Sequence, residues 1–416
     1  MTWGYRDGAL CGDDLPLTDV ATRFGTPCYV YSAAAIVENV ERFRTALAGL
    51  PLRLCYAVKA NSNLAVLSLL ARQGLGAEVV SAGELLRALR AGFAPADVLF
   101  TGVGKRTDEL RLAMGRGVGA VVVESTAELR AGAELAPPGS RPVPVALRLH
   151  PGLDPHTHPH LATGKAGSKF GLDPGELAAA LAAGANWRRL ALAGFHVHLG
   201  SQIRHLQPYA DAFRALITWA GRARGLGHRL EFLDLGGGFA AGDATGELEF
   251  PLAGLAEVLR HVPADLELVL EPGRALVASA GVLLTTVVYV KSAHGSRFAV
   301  VDAGMNDLLR PALYGARHHV LPVRPRPGPA TPTHVVGPVC ESADHIAHGA
   351  PLPPLRAGDL LAVMGVGAYG FSMASQYNSR PRPAEVLLAG GGAHLVRRRE
   401  SWEDLWRGEE SPACLR

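Results

Sequence analysis

The sequence predicts an α/β fold, a (β/α)8 TIM-like barrel plus a C-terminal antiparallel β domain, on two observations. From Leu52 to Glu271 eight short apolar runs alternate with longer segments of helical character, the pattern of a parallel sheet covered by helices. After Arg274 the texture changes to runs rich in β-branched residues separated by Gly, Pro and Asp, which read as antiparallel strands. A barrel of this kind takes about 250 residues. The expected division is therefore a barrel over 32–275 and a discontinuous β domain of 1–31 and 276–416. An open doubly wound sheet is the competing arrangement, and eight repeats over this length argue against it.

The barrel runs are LRLCYAV (52–58), GAEVV (76–80), DVLFT (97–101), GAVVVE (119–124), VPVALRL (143–149), LAGFHVH (192–198), RLEFLDL (229–235) and LELVLE (266–271). Between them lie helical segments such as NLAVLSLLARQG, AGELLRALRAG and PYADAFRALITWAGRARG, several closed by Gly as helix C-termini often are. The β-domain runs are GVLLTTVVYVKS, RFAVVDAG, THVVGPVCES, DLLAVMGVGAYG, AEVLLAGG and HLVRRRE. A further strand near Cys28–Tyr31 is expected to complete that domain. PVRPRPGPATP (322–332) holds too much proline for an inner strand and reads as an exposed loop.

Composition narrows the function classes. At 416 residues the chain is long enough for two domains with their own cores. Its 41 Lys and Arg against 38 Asp and Glu leave a net charge of +3 without a dense basic block, so no nucleic-acid partner is expected. The five cysteines (Cys11, Cys28, Cys55, Cys340, Cys414) are scattered, unlike a disulfide framework or zinc site, and fit a reducing compartment. The N-terminus is acidic where an export signal would be basic. The uncharged apolar run Ala275–Val290 is too short and too polar for a membrane span. A soluble, cytoplasmic protein with no membrane partner is expected.

Four motifs carry chemistry. YAVKAN puts Lys59 at the C-terminal end of the first barrel strand, the catalytic face of such a barrel. A partly desolvated Lys there suits Schiff-base formation with an aldehyde, although a surface Lys just past a strand is an equal reading of the hexapeptide alone. LDLGGGF follows the seventh strand, where backbone amides without side chains can approach a phosphate; a flexible turn is the alternative. EPGR adds Glu271 and Arg274 at the end of the eighth strand. A carboxylate there could keep the ring nitrogen of pyridoxal phosphate protonated, or simply form an ion pair. In FHVHLGSQI, His196 and His198 point the same way. They suit an aromatic platform better than a metal centre, since no carboxylate or thiolate ligand is evident nearby in sequence.

YAVKAN, THPHLATG, SKFG, HVHLGSQI, LGGGF, EPGR, DAGMNDLLRPALYGA, GPVCESAD, GAYGFSMASQYNSRPRPAEVL and VRRRESWEDL together resemble the diaminopimelate decarboxylase family, in the same order. The likeness runs from FGTPCYVY (24–31) over nearly the whole chain. YAVKAN, EPGR and the glycine run are shared more widely with fold-type III pyridoxal phosphate decarboxylases, including ornithine and arginine enzymes, whose barrel and β domain are alanine racemase-like.

The resemblance implies pyridoxal 5'-phosphate as cofactor, held at Lys59, with His198 against the ring and Glu271 at the ring nitrogen. It implies that Ser201, Gly236, Gly237, Gly238 and Arg274 surround the cofactor, and that Tyr369 reaches phosphate or substrate from the other subunit of a homodimer with shared active sites. Cys340 resembles the family's proton donor, although an isolated Cys would read as a small buried hydrophobe on a strand. Arg274, Arg310 and Tyr314 resemble contacts to the substrate's distal carboxylate, and Glu341 a contact to its distal ammonium. A guanidinium grips a carboxylate through two hydrogen bonds, and an ornithine or lysine enzyme has no use for Arg310.

The activity so implied is decarboxylation of meso-2,6-diaminopimelate to L-lysine and CO2, the last step of lysine biosynthesis. Alternatives are a decarboxylase of another amino acid or carrier-bound substrate, an amino-acid racemase, and a non-catalytic cofactor carrier. Racemases of this kind usually place Arg where Glu271 stands, and a carrier would not need Cys340, Glu341 and Tyr369. Two features stand apart. Glu78 occupies a position commonly held by Asp. The connection from His150 to Leu172 holds His150, His156, His158 and His160 and suits a lid, its Pro155 and Pro159 arguing against a metal site.

Overall fold

The computed structural model describes residues 2–138, 141–150, 152, 167–184, 187, 189–241 and 250–415. The elements fall into two units, Met1–Ile36 with Val277–Arg416, and Val37–Leu276.

Three short antiparallel strands open the first unit, β1 (Trp3–Arg6), β2 (Ala9–Gly12) and β3 (Leu15–Pro16). Their connections are Asp7-Gly8 and Asp13-Asp14, all four residues at positive φ, which is the backbone of a tight hairpin turn. β4 (Cys28–Ser32) follows.

The second unit is the barrel. Its strands are β5 (Leu52–Ala57), β6 (Gly76–Val79), β7 (Val98–Phe100), β8 (Ala120–Val123), β9 (Val143–Arg148), β10 (Leu190–His196), β11 (Phe232–Asp234) and β12 (Glu267–Leu270). Each pairs in parallel with the next, and β12 pairs with β5, closing the ring. All eight apolar runs therefore form strands, the seventh keeping only three residues of its run. Cys55, Leu99, Val122, Ala146, Ala193, Phe232 and Val269 are buried together as one cluster. A closed barrel filled in this way has no room for charge except at its ends.

Two of the intervening helices start alike. Ser81 and Ser125 each accept from the amide three residues on, while Glu84 and Glu128 reach back to the amides of Val80 and Glu124. These reciprocal caps fix where each chain leaves its strand end.

The remaining strands of the first unit are β13 (Gly281–Ala293), β14 (Ser296–Val301), β15 (Val320–Pro322), β16 (Thr331–Val336), β17 (His345–Leu352), β18 (Leu360–Met364), β19 (Ala384–Ala389) and β20 (Gly392–Arg397). The sheet runs β17-β16-β14-β13-β4-β19-β20, with β18 pairing β13 and β15. β4 thus lies between β13 and β19. Most pairs are antiparallel, but β14 with β16 and β4 with β19 are parallel, because long connections bring each partner back in the same direction. Val30, Val282, Leu284, Ala362, Val386 and Leu388 are among the core of this sheet. Residues 324–330 are exposed and outside any strand.

Candidate active site

Lys59 sits on a single turn of 3-10 helix, Val58–Ala60, directly after β5. Its Nζ lies 2.7 Å from Glu78 Oε2 at the end of β6. Glu78 is 1% exposed and its other oxygen accepts a hydrogen bond from Thr101 Oγ1, after β7. The extra methylene of Glu78 therefore still yields a direct ion pair with the lysine. A buried carboxylate with one bond to a cation and one to a hydroxyl is well satisfied.

The glycine run is a fitted backbone and not a loose turn. Gly236 and Gly238 have φ of +67° and +96°. A Cβ on Gly237 would lie 2.2 Å from Glu271 O, and one on Gly238 2.3 Å from Gly200 O. Side chains are excluded because three strand ends converge there. Two of the amides already have partners: Gly236 N–H donates to Asp234 Oδ1 and Gly237 N–H to His198 Nδ1. Tyr209 OH donates to Gly237 O at 2.8 Å, and its ring stacks on Phe239, the last residue of the motif.

Around this loop the ends of β10, β11 and β12 place four titratable side chains together. His196 Nε2 lies 3.5 Å and His198 Nδ1 4.0 Å from Glu271 Oε2. Asp234, Glu271 and His196 offer polar atoms within 4.8 Å of one another. The carboxylates missing beside the histidines in sequence are thus present in space, supplied by the next two strands. Asp234 Oδ2, Glu271 Oε1 and both ring nitrogens of His196 are buried without a hydrogen-bond partner among the described residues.

The electrostatics follow from burial. It pushes Asp234 well above the ordinary carboxyl value, reinforced by the charge on Glu271. Glu271 is equally buried, but His196 and then Lys59 outweigh the desolvation and hold it down at about 2. One proton on Asp234 and a negative charge on Glu271 is the arrangement these directions describe. Burial and the cations of Lys59 and Arg148 hold His198 well below the usual imidazole value. Neutral His198, accepting at Nδ1 from Gly237, carries its proton on Nε2.

Arg274 is 7% exposed and directs Nε and Nη2 at Ser201 Oγ, 3.3 and 3.1 Å away. Lys59, His198, Ser201, Gly237, Gly238, Glu271 and Arg274 all belong to the barrel unit. Sequence reasoning passed over Asp234 and Thr101, both at strand ends, and the buried ion pair of Arg148 with Glu124 at 2.5 Å. A polar residue ending an apolar run was the available signal.

The other expected site residues belong to the β unit. Arg310 begins the helix Arg310–Tyr314, is 7% exposed, and donates from Nη1 to His318 Nε2 at 3.1 Å. His318 Nδ1 in turn donates to Met364 O. Tyr314 is half-buried, and Tyr369 adopts a φ of +55°. Cys340 is exposed, outside any strand because β16 ends at Val336, and its N–H donates to Asn378 Oδ1 at 3.0 Å. That rules out a buried strand hydrophobe. The neighbouring Glu341 accepts a hydrogen bond from Tyr377 OH. Residues 153–166, with His156, His158, His160 and most of the suggested lid, lie outside the described residues.

Known proteins are similar to this chain over most of its length. Residues 33–278 match the pyridoxal-binding domain of pyridoxal-dependent decarboxylases. The chain is 46% identical to the diaminopimelate decarboxylase of Pseudomonas aeruginosa over 413 residues, 98% of each chain. The chain belongs to the diaminopimelate decarboxylase family. It is 41% identical to the Zymomonas mobilis member over the full length of both. The M. jannaschii family member, crystallised in complex with L-lysine, superposes with a TM-score of 0.93 at 34% identity, covering 100% of this chain and 99% of that one. Family membership accounts for the barrel and the β sheet together. Among the described residues no helix is long and apolar enough to cross a membrane.

Proposed function

We infer that this protein decarboxylates meso-2,6-diaminopimelate to L-lysine and CO2 with bound pyridoxal 5'-phosphate. The observation that carries the reading is the full-length kinship with diaminopimelate decarboxylases. The barrel residues fit the cofactor: a lysine on a strand-end turn, a loop whose glycines leave no room for a Cβ, and a buried carboxylate oxygen without a partner.

When bound, pyridoxal phosphate supplies an electron sink for the pair left on Cα as the bond to CO2 breaks. Lys59 Nζ is the amine that holds the cofactor's aldehyde carbon. It must lose a proton before it can react, and Glu78 Oε2 at 2.7 Å is placed to receive it. Glu271, held anionic, keeps a proton on the ring nitrogen. Neutral His198 packs against the ring without adding a competing positive charge. Ser201, Gly237, Gly238 and Arg274 surround the phosphate.

The new Cα–H bond requires an acid, and Cys340 is the donor we assign, offered across a homodimer together with Tyr369. Its exposure in the single chain and the anchoring of its backbone to Asn378 support this role. Arg274, Arg310 and Tyr314 then take the distal carboxylate and Glu341 the distal ammonium. Five free cysteines agree with a cytoplasmic setting.

Comparing CO2 release from diaminopimelate, lysine, ornithine and glutamate tests the substrate. Diaminopimelate is expected to dominate, and turnover of ornithine at the same rate would overturn the choice. Borohydride reduction followed by peptide mapping tests the cofactor site, with the pyridoxyl group expected on Lys59 and on no other residue.

A further inference from the structure

The β unit gathers three histidines that no part of the proposed reaction uses. His334 on β16 and His345 and His348 on β17 each offer a ring nitrogen within 4.8 Å of the others. Their spacing in sequence hides this, because residues three apart on a regular strand face opposite sides. The ladder explains it. Val336 pairs with His345 and Val335 with Ala347, leaving Ile346 extra, while Thr333 pairs with Ala350. His348 and Gly349 therefore share the place opposite His334, with Gly349 at φ +61°. Such bulges re-aim side chains, and here they turn His345 and His348 to the face of His334.

The rings are held in place. His345 and His348 stack with centroids 4.1 Å apart, and His334 meets them edge-on at 5.9 and 5.7 Å. His334 stacks in turn on Phe298 of β14 at 5.1 Å. Nδ1 of both His334 and His345 is buried without a hydrogen-bond partner among the described residues. Buried nitrogens left so are costly unless something occupies their lone pairs.

We propose that His334, His345 and His348 form a three-imidazole site for a divalent transition-metal ion, Zn2+, whose fourth position is open to water. Three imidazole nitrogens, with no carboxylate in the cluster among the described residues, exclude Ca2+ and Mg2+, which take oxygen ligands. Zn2+ accepts such a set in tetrahedral geometry, with ligand nitrogens about 3.3 Å apart, so the stacked His345 and His348 rings must swing out of their stack to aim at one ion. His348 is exposed, which leaves an entry path. The ion joins β16 to β17, the edge strand of the sheet, and pins that edge.

The test uses the full-length, cofactor-loaded protein, freed of metal by a chelator and titrated with Zn2+ against a chromophoric competitor. One Zn2+ per chain is expected, together with a raised Tm and, on Co2+ substitution, the visible absorption of a tetrahedral centre. His345→Gln and His348→Gln are each expected to weaken binding at least about 10-fold. Both are expected to match wild-type Tm and turnover in chelator, which shows that they fold. Wild-type protein that takes up no Zn2+ at millimolar concentration overturns the proposal. So does a His345→Gln, His348→Gln double variant that binds with unchanged stoichiometry and affinity, since the ion would then reside elsewhere.

Discussion

Replacing Glu271 by Gln separates its charge from its shape. The carboxyl stands at about 2 against an ordinary 4.5, despite a burial that by itself would raise it. That difference corresponds to a net stabilisation of the anion of about 3 kcal/mol, left after the cost of burial. If the same anion holds the proton on the cofactor's ring nitrogen as negative charge flows into the ring, losing it removes a comparable stabilisation from the transition state. About 100-fold in kcat follows. Glutamine fills the same space beside His196, so cofactor binding should survive. Asp234, relieved of its charged neighbour, should then ionise more readily. The assay is steady-state CO2 release, with cofactor content measured by absorbance in the same samples. A Glu271→Gln enzyme with full cofactor and a kcat within about threefold of wild type would refute the assigned charge and its role.

Lys59→Ala should abolish turnover and leave no borohydride-trapped cofactor, measured by mass spectrometry. Gly237→Ala should destabilise by about 3 kcal/mol in denaturant melts, because the new Cβ meets the Glu271 carbonyl at 2.2 Å, and backbone yields less than a side chain. Cys340→Ala should lower kcat while leaving Tm unchanged, since an exposed thiol contributes little to packing. Burial raises Asp307 to about 7 from an ordinary 3.8. The folded state therefore binds the extra proton between these values, and stability should fall as pH rises through that window. Asp307→Asn should flatten the decline, read as Tm against pH.

Period and alternation were sufficient for the barrel because its strands are buried on both faces and so read as unbroken apolar runs. The β unit obeys no such rule. β17, HIAHGAPL, carries two His, a Gly and a Pro, and its two bulges cancel the alternation by which an edge strand is recognised. The hairpins of β1 to β3 are too short for periodicity, though Asp7-Gly8 is a turn signal of the right type. THVVGPVCES contains a strand only in its first half. The chain beyond Val336 instead holds Cys340 on an exposed loop, and no hydrophobic pattern separates the two halves.

For the site, legibility depended on what a residue's own neighbours say about it. Lys59, the glycines and Glu271 each end an apolar run, and a polar group in that position has to be at a barrel mouth. Nothing local pairs Lys59 with Glu78, or Glu271 with Asp234 and His196, because those partners lie at the ends of other strands. Closure of the ring creates the pairs. Closure also creates the electrostatics: Asp234 and Glu271 are ordinary carboxyls in the chain, and they diverge only once they share one buried volume with His196 and Lys59. The lowered pKa of buried Glu271 is therefore a property of the barrel rather than of EPGR. A transplant of the motif to another strand end, without β10 and β11 beside it, would carry the carboxyl but not its lowered pKa.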